Sequence, residues 1–174
     1  MFKIAIIGPE STGKSALAKS LSEYFSSPWV PEYAREYVEN LSVPYSYNDV
    51  CIITQKQIEQ ENYYSSDNVF NEKFVFFDTN LIITKVWFQY CFQKIPTILT
   101  EQLNKNIFDF YLLCSTDLSW EADLVREHGT DREFFFYWYK NEIEETQKPY
   151  AIVTGEGNVR IQNAIASLNS YFSK

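Results

Sequence analysis

With 174 residues, the chain is the size of one domain at roughly 150 residues each, and 45% hydrophobic residues supply a substantial core. Fifteen Lys+Arg against 23 Asp+Glu leave a net charge of −8, the opposite of a nucleic-acid binder's basic footprint. No stretch reaches the about 20 apolar residues of a membrane span, and Cys51, Cys91 and Cys114 are dispersed without C-x-x-C spacing. Neither polynucleotide nor membrane is therefore an expected partner, and the expected compartment is the reducing cytoplasm.

In chain order the pattern alternates strand and helix. Phe2 to Ile7 is an apolar run that turns at Gly8, and a helix with Leu17, Leu21, Tyr24 and Phe25 on one face begins at Lys14. A short strand at Trp29-Val30 ends at Pro31 and leads into a helical segment, Glu32 to Asn40. A longer helix is expected from about Asn48 to Tyr64, then a buried strand from Lys73 to Phe77 ending at Asp78, then a helix from Leu81 to Phe92. Pro96 breaks the pattern. Strands follow at Phe108 to Cys114 and Tyr150 to Thr154, and a closing helix carries Ile161, Ile165, Leu168 and Phe172. Apolar strands separated by helices predict a parallel sheet covered on both faces. The expected architecture is one α/β domain over 1–174, a three-layer sandwich around a parallel five-stranded sheet. A helical lid over about 117–145 is its mobile excursion.

The sharpest signal is Gly8-Pro9-Glu10-Ser11-Thr12-Gly13-Lys14-Ser15, a full match to the P-loop pattern G-x-x-x-x-G-K-[ST] between a buried strand and a helix, so the expected sandwich is that of a P-loop NTPase. Its glycines let successive backbone N–H groups face a phosphate, and the helix start, through Ala16, adds positive potential. In such a loop Lys14 reaches the β- and γ-phosphates of ATP and the Ser15 hydroxyl holds Mg²⁺. Asp78 ends its strand where a carboxylate serves Mg²⁺ or orients a nucleophile; it equally suits a plain helix cap.

Three further segments extend the site. Glu32-Tyr33-Ala34-Arg35-Glu36-Tyr37 follows a strand, beyond whose carboxyl end ligands of parallel sheets lie. Glu32 and Glu36, four apart, are expected on one helix face beside Arg35. There a carboxylate accepts the proton of a hydroxyl acceptor while the guanidinium steadies charge. Trp120 to Arg132 carries Asp123, Arg126 and Arg132, a segment suited to folding over ATP and bringing guanidinium groups to the transferring phosphoryl. Arg160 follows Gly155-Glu156-Gly157, where a loop can pass the adenine. The aromatic run Phe134 to Tyr139 is expected to be mostly core, with one or two rings lining an acceptor pocket, and Tyr33, Tyr37 and Trp120 are candidate rings for a cationic acceptor. The lone His128 reads as exposed and the cysteines as buried side chains.

With these residues in place, the chain resembles the ribosylnicotinamide kinase domain of bacterial NadR-type proteins. The resemblance rests on G-P-E-S-T-G-K-S, E-Y-A-R-E-Y at 32–37, F-D-T at 77–79, the W-x-x-D-x-x-R-x5-R run from Trp120 to Arg132, and G-x-x-x-x-R from Gly155 to Arg160. It implies transfer of the ATP γ-phosphoryl to the ribose 5′-hydroxyl of nicotinamide riboside, giving nicotinamide mononucleotide. In that scheme Lys14, Arg126 and Arg132 sit on the phosphates, Ser15 and Asp78 on Mg²⁺, and Glu32 is the base. Tyr33, Glu36, Trp120 and Asp123 are the remaining acceptor contacts. With the first strand at residue 2, the expected form lacks the adenylyltransferase domain that often precedes this kinase. Two alternatives stay open: a kinase for another nucleoside or small metabolite, and a nucleotide-dependent switch without transfer to a small molecule.

Overall fold

The computed structural model describes residues 1–65, 71–122 and 129–173. Five strands, β1 (Phe2–Ile7), β2 (Trp29–Val30), β3 (Phe74–Asp78), β4 (Phe110–Cys114) and β5 (Tyr150–Val153), form one parallel sheet in the order β2-β3-β1-β4-β5. The helices among the described residues are α1 (Lys14–Phe25), α2 (Tyr33–Glu39), α3 (Tyr47–Ser65), α4 (Leu81–Phe92), α5 (Thr97–Asn104), α6 (Arg132–Glu145) and α7 (Gly157–Phe172). None is long and apolar enough to cross a membrane.

Alternate residues of each strand face opposite layers, as the two-residue period requires. Ile4, Ile6, Phe74, Phe76, Phe110 and Leu112 pack with Leu17 and Leu21 of α1 and Ile165 and Leu168 of α7. Ala5, Ile7, Val75, Phe77, Tyr111 and Leu113 pack with Ile82 and Val86 of α4 and Phe135, Phe136, Tyr139 and Ile143 of α6. Because both faces are covered, the strands read as unbroken apolar runs.

Two elements depart from expectation. The Pro96 break starts α5, whose buried Leu99 joins Val50, Ile58, Leu81 and Phe88 in a third apolar cluster. The segment 132–145, expected within the mobile excursion, is a core helix with four buried residues. Its aromatic run spreads round the helix, so Phe135, Phe136 and Tyr139 face the sheet while Phe134 and Tyr137 face solvent. The cysteines are all free, but only Cys114 is buried; Cys91 is exposed.

Buried polar side chains tie the helical layer together. Thr84 Oγ1 donates to Gln57 Oε1 (2.6 Å), and Gln102 Nε2 donates to Glu61 Oε2 (2.9 Å), joining α3 to α4 and α5. Burial pushes the Glu61 carboxyl up from 4.5 to about 7, outweighing the Gln102 hydrogen bond. A raised carboxyl group stabilises the fold while protonated, and that contribution is lost as pH rises through the folded-state value. Urea melts should therefore show stability falling by up to about 3 kcal/mol between pH 5 and pH 8, and Glu61→Gln should flatten the dependence. A wild type equally stable at both pH values would contradict this.

Candidate active site at the carboxyl edge of the sheet

The loop between β1 and α1 is shaped by backbone that tolerates little else. Gly13 has φ +74, in the left-handed region that favours glycine. At Gly8 a Cβ would stand 2.9 Å from Cys114 Cβ, the Cys114 carbonyl oxygen and Thr12 Oγ1. Gly8→Ala should therefore cost about 1–3 kcal/mol in urea melts, because the sheet must yield to admit the methyl; wild-type stability would contradict that packing. Thr12 Oγ1 and Lys14 Nζ both donate to the Pro9 carbonyl, at 2.8 and 2.9 Å, closing the loop on itself.

This loop forms one wall of a cavity of about 420 Å³. Gly8, Glu10, Ser11, Thr12, Gly13, Lys14, Ser15 and Ala16 line it, with Glu32 and Arg35 across from them. Glu32 is the residue just before α2, with extended backbone (φ −66°, ψ 102°). Burial raises its carboxyl above the usual carboxylate range; Lys14 and Arg35 oppose the rise, and the charges of Asp78 and Glu10 add to it. A carboxyl group held this way is a proton acceptor poised nearer neutrality than a surface one.

Asp78, 3% exposed at the end of β3, lies behind the loop rather than on the cavity wall. Burial raises its carboxyl, against the Ser15 hydroxyl bonded to it and the charge of Lys14. Its Oδ1 is buried without a hydrogen-bond partner among the described residues. A hydroxyl and a buried carboxylate with a spare oxygen, side by side at a helix start, fit a Mg²⁺ ion held through Ser15 and through water on Asp78. Bound there, the ion would neutralise phosphate charge.

The remaining predicted residues divide clearly. Because Glu32 precedes the first helical turn, it does not share a face with Glu36, which is exposed and off the cavity. Tyr33 and Tyr37 contact each other at 6.0 Å between ring centroids and also lie off it, with Tyr37 donating to Asp49 (2.9 Å). Arg35 lines the cavity and pairs with Glu39 at 3.1 Å. Trp120 is 40% exposed, its ring packed where a Cβ on Gly129 would clash, and is not a wall residue. Asp123, Arg126 and His128 lie outside the described residues. The rings that do line the cavity are Tyr45, Trp87 and Tyr139, beside Val38, Val50, Ile53 and Ile83.

Two arginines expected at phosphate and adenine instead brace loops. Arg132 donates to the carbonyls of Thr116 and Leu118 (both 2.7 Å) and to that of Ser11 (3.3 Å). The Glu121 N–H donates to Ser11 Oγ (2.9 Å), so the segment after β4 is strapped across the P-loop. Arg160, 4% exposed, donates to the carbonyls of Gly155 (2.7 Å) and Ser115 (2.9 Å) and to Asp117 Oδ1 (2.8 Å). Asp117 also accepts from the Gly155 N–H (2.7 Å). Partial burial raises the Asp117 carboxyl, but the Arg160 and Gly155 bonds outweigh it and hold the group below its usual range. Arg160→Ala leaves buried acceptors unpaired and should cost about 3 kcal/mol in denaturant melts; a change under 1 kcal/mol would show that the network bears little load.

A family model described as an AAA domain matches residues 3–160. The chain belongs to this AAA-domain family. Among curated proteins, this AAA domain is 26% identical over 162 residues to the trifunctional NAD biosynthesis/regulator protein NadR of Escherichia coli, covering 88% of the chain and 38% of NadR. The Salmonella typhimurium NadR is also 26% identical, over 76% of the chain and 33% of its own length. The chain thus spans little more than a third of the curated relatives it matches. Among solved structures, a NadR protein in complex with NR superposes with TM-score 0.81 at 22% identity, over 99% of this chain and 51% of that one. Deoxyadenosine kinase of M. mycoides superposes at 0.59 and 16% identity, over 97% of this chain and all of the other. The AAA domain here therefore has the P-loop, kinase-like α/β fold, with the loop at the carboxyl edge of its sheet.

Proposed function

We propose that the protein is an ATP-dependent kinase for a small nucleoside, phosphorylating the ribose 5′-hydroxyl of nicotinamide riboside. The observation that carries this reading is the composition of one cavity. The P-loop with Lys14 forms one end, Glu32 stands across from it, and an apolar lobe with three aromatic rings completes the space. ATP would lie along the loop, its β- and γ-phosphates on backbone N–H groups and Lys14. The acceptor would place its base among Tyr45, Trp87 and Tyr139, whose π faces favour a pyridinium cation, and its hydroxyl toward Glu32. Glu32 takes the hydroxyl proton as the oxygen attacks the γ-phosphorus, the bond from that phosphorus to the β,γ-bridging oxygen breaks and ADP leaves, while Lys14 and Arg35 balance the charge gathering on the transferring group. Arg126 and Asp123 keep their proposed roles on phosphate and acceptor. For Arg132 the supported role is to hold the strap that screens the phosphates from water. Matches to NadR over most of the chain support this acceptor over others.

Purified protein with ATP, Mg²⁺ and a panel of nicotinamide riboside, adenosine, uridine and deoxyadenosine, read by mass spectrometry, tests the assignment. Nicotinamide mononucleotide should form with the highest kcat/KM. A different nucleoside turned over faster would reassign the acceptor, and no phosphorylated product from any would remove the small-molecule kinase reading.

A further inference from the structure

Helix α4 separates two cavities. Ile83, Thr84 and Trp87 line the P-loop cavity; Ile82 and Lys85, on the opposite face of the same helix, line a second cavity of about 370 Å³. Its polar walls come from Glu61 of α3, Asn106 after α5, Tyr111 of β4, and Glu142 and Glu145 of α6. Glu61 is 3% exposed; its carboxyl takes a hydrogen bond from Gln102 at Oε2 and lies against the Leu81 backbone N–H, while Oε1 meets no donor at hydrogen-bond geometry among the described residues. Asn106 repeats the pattern, with Nδ2 donating to the Thr146 carbonyl (3.0 Å) and a buried Oδ1 left unpartnered. The cationic donors nearby are committed elsewhere, Lys105 Nζ to Gln102 Oε1 (2.6 Å) and Lys85 Nζ to Glu142 Oε2.

With Glu61 ionised, as it is above about pH 7, the two unsatisfied atoms are both acceptors, and one of them belongs to a carboxylate. A buried acceptor without a donor is costly, and burying a carboxylate without a matching charge is costlier. A water molecule would relieve the first cost but not the second. We propose that this cavity is a binding site for a small organic cation, a primary ammonium or a guanidinium, with Glu61 Oε1 and Asn106 Oδ1 as its acceptors. The site stands apart from the phosphotransferase reading and does not depend on it. Since burial brings Glu61 to about 7, a cation that selects the carboxylate binds more tightly as pH rises from 6 to 8. The other charged or titratable groups facing Glu61 are Lys105 at the end of α5, Lys85 of α4, Tyr111 of β4, and Glu142 and Glu145 of α6.

Isothermal titration of the full chain with agmatine, which carries both cationic groups, and with putrescine, which carries only ammonium, tests the site. At least one should bind in a single saturable step, more tightly at pH 8 than at pH 6. Glu61→Gln, which keeps an acceptor for Gln102, should weaken binding roughly thirtyfold or more. Asn106→Gly, suited to the left-handed φ of +48° at that position, should weaken it without unfolding the chain. Glu32→Gln, in the other cavity, should leave it unchanged. No binding by either probe in the millimolar range, binding that survives both Glu61→Gln and Asn106→Gly, or binding lost in Glu32→Gln would overturn the proposal.

Discussion

Lys14→Ala should lower phosphoryl transfer a thousandfold or more while leaving the fold intact. The Lys14 ammonium is the P-loop's only side-chain cation on the cavity wall, and it faces the position where charge on a transferring phosphoryl would gather. Donors aimed at developing charge in a water-poor site supply roughly 10²–10³ each, and charged groups on a phosphoryl reach the upper part of that range or beyond. Lys14 Nζ donates to the Pro9 carbonyl at 2.9 Å and is not part of the apolar clusters, so truncation removes little from the core. Circular dichroism melts should change by less than about 1 kcal/mol. Turnover within tenfold of wild type would show that the loop does not carry the reaction's charge.

Glu32→Gln should slow transfer by roughly 10²–10⁴ with ATP affinity nearly unchanged. The substitution keeps the shape of the side chain and removes only its capacity to take a proton. It also removes a negative charge near the phosphates, so nucleotide binding should hold or tighten slightly. The pH profile separates this role from mere positioning. Burial holds both Glu32 and Asp78 above the usual carboxylate range, and the two influence each other. In wild type kcat should therefore rise with pH as this acidic pair ionises, and fall off toward acid, where the base is protonated. In Glu32→Gln the rising limb attributable to the base should vanish. A variant with reduced kcat but an unaltered limb would transfer the base role to Asp78.

Much of this site was legible in the sequence because its signals are local. The P-loop is eight consecutive residues in a strand-to-helix turn, and Asp78 is marked by the apolar run it ends. Those positions follow from backbone chemistry that acts within a few residues. Glu32 was found for the right location but with the wrong partner, since the helix starts one residue later than the Glu32–Glu36 pairing requires. The acceptor lobe was largely illegible: Tyr45 before α3, Ile53 of α3 and Trp87 of α4 are brought together only by the packing of α3 and the segment before it on α4, and no spacing within either helix distinguishes cavity from core. Only Tyr139 was foreshadowed, as one ring of the aromatic run.

The arginines mark where local reading ends. Five donors in a rigid fork suit phosphate oxygens and crowded loop carbonyls equally well. Arg160 meets two carbonyls and a carboxylate, and Arg132 meets three carbonyls. Which use a guanidinium serves depends on chain segments more than 100 residues apart, such as Ser11 and Arg132, and that proximity is a property of the sheet order.

The fate of the terminal phosphate decides the central claim. With ATP labelled at the γ-phosphorus and nicotinamide riboside present, label should accumulate in an organic phosphate ester in step with ADP, and little should appear as inorganic phosphate. Label released only as inorganic phosphate, at a rate indifferent to the riboside and to the other nucleosides, would contradict the account.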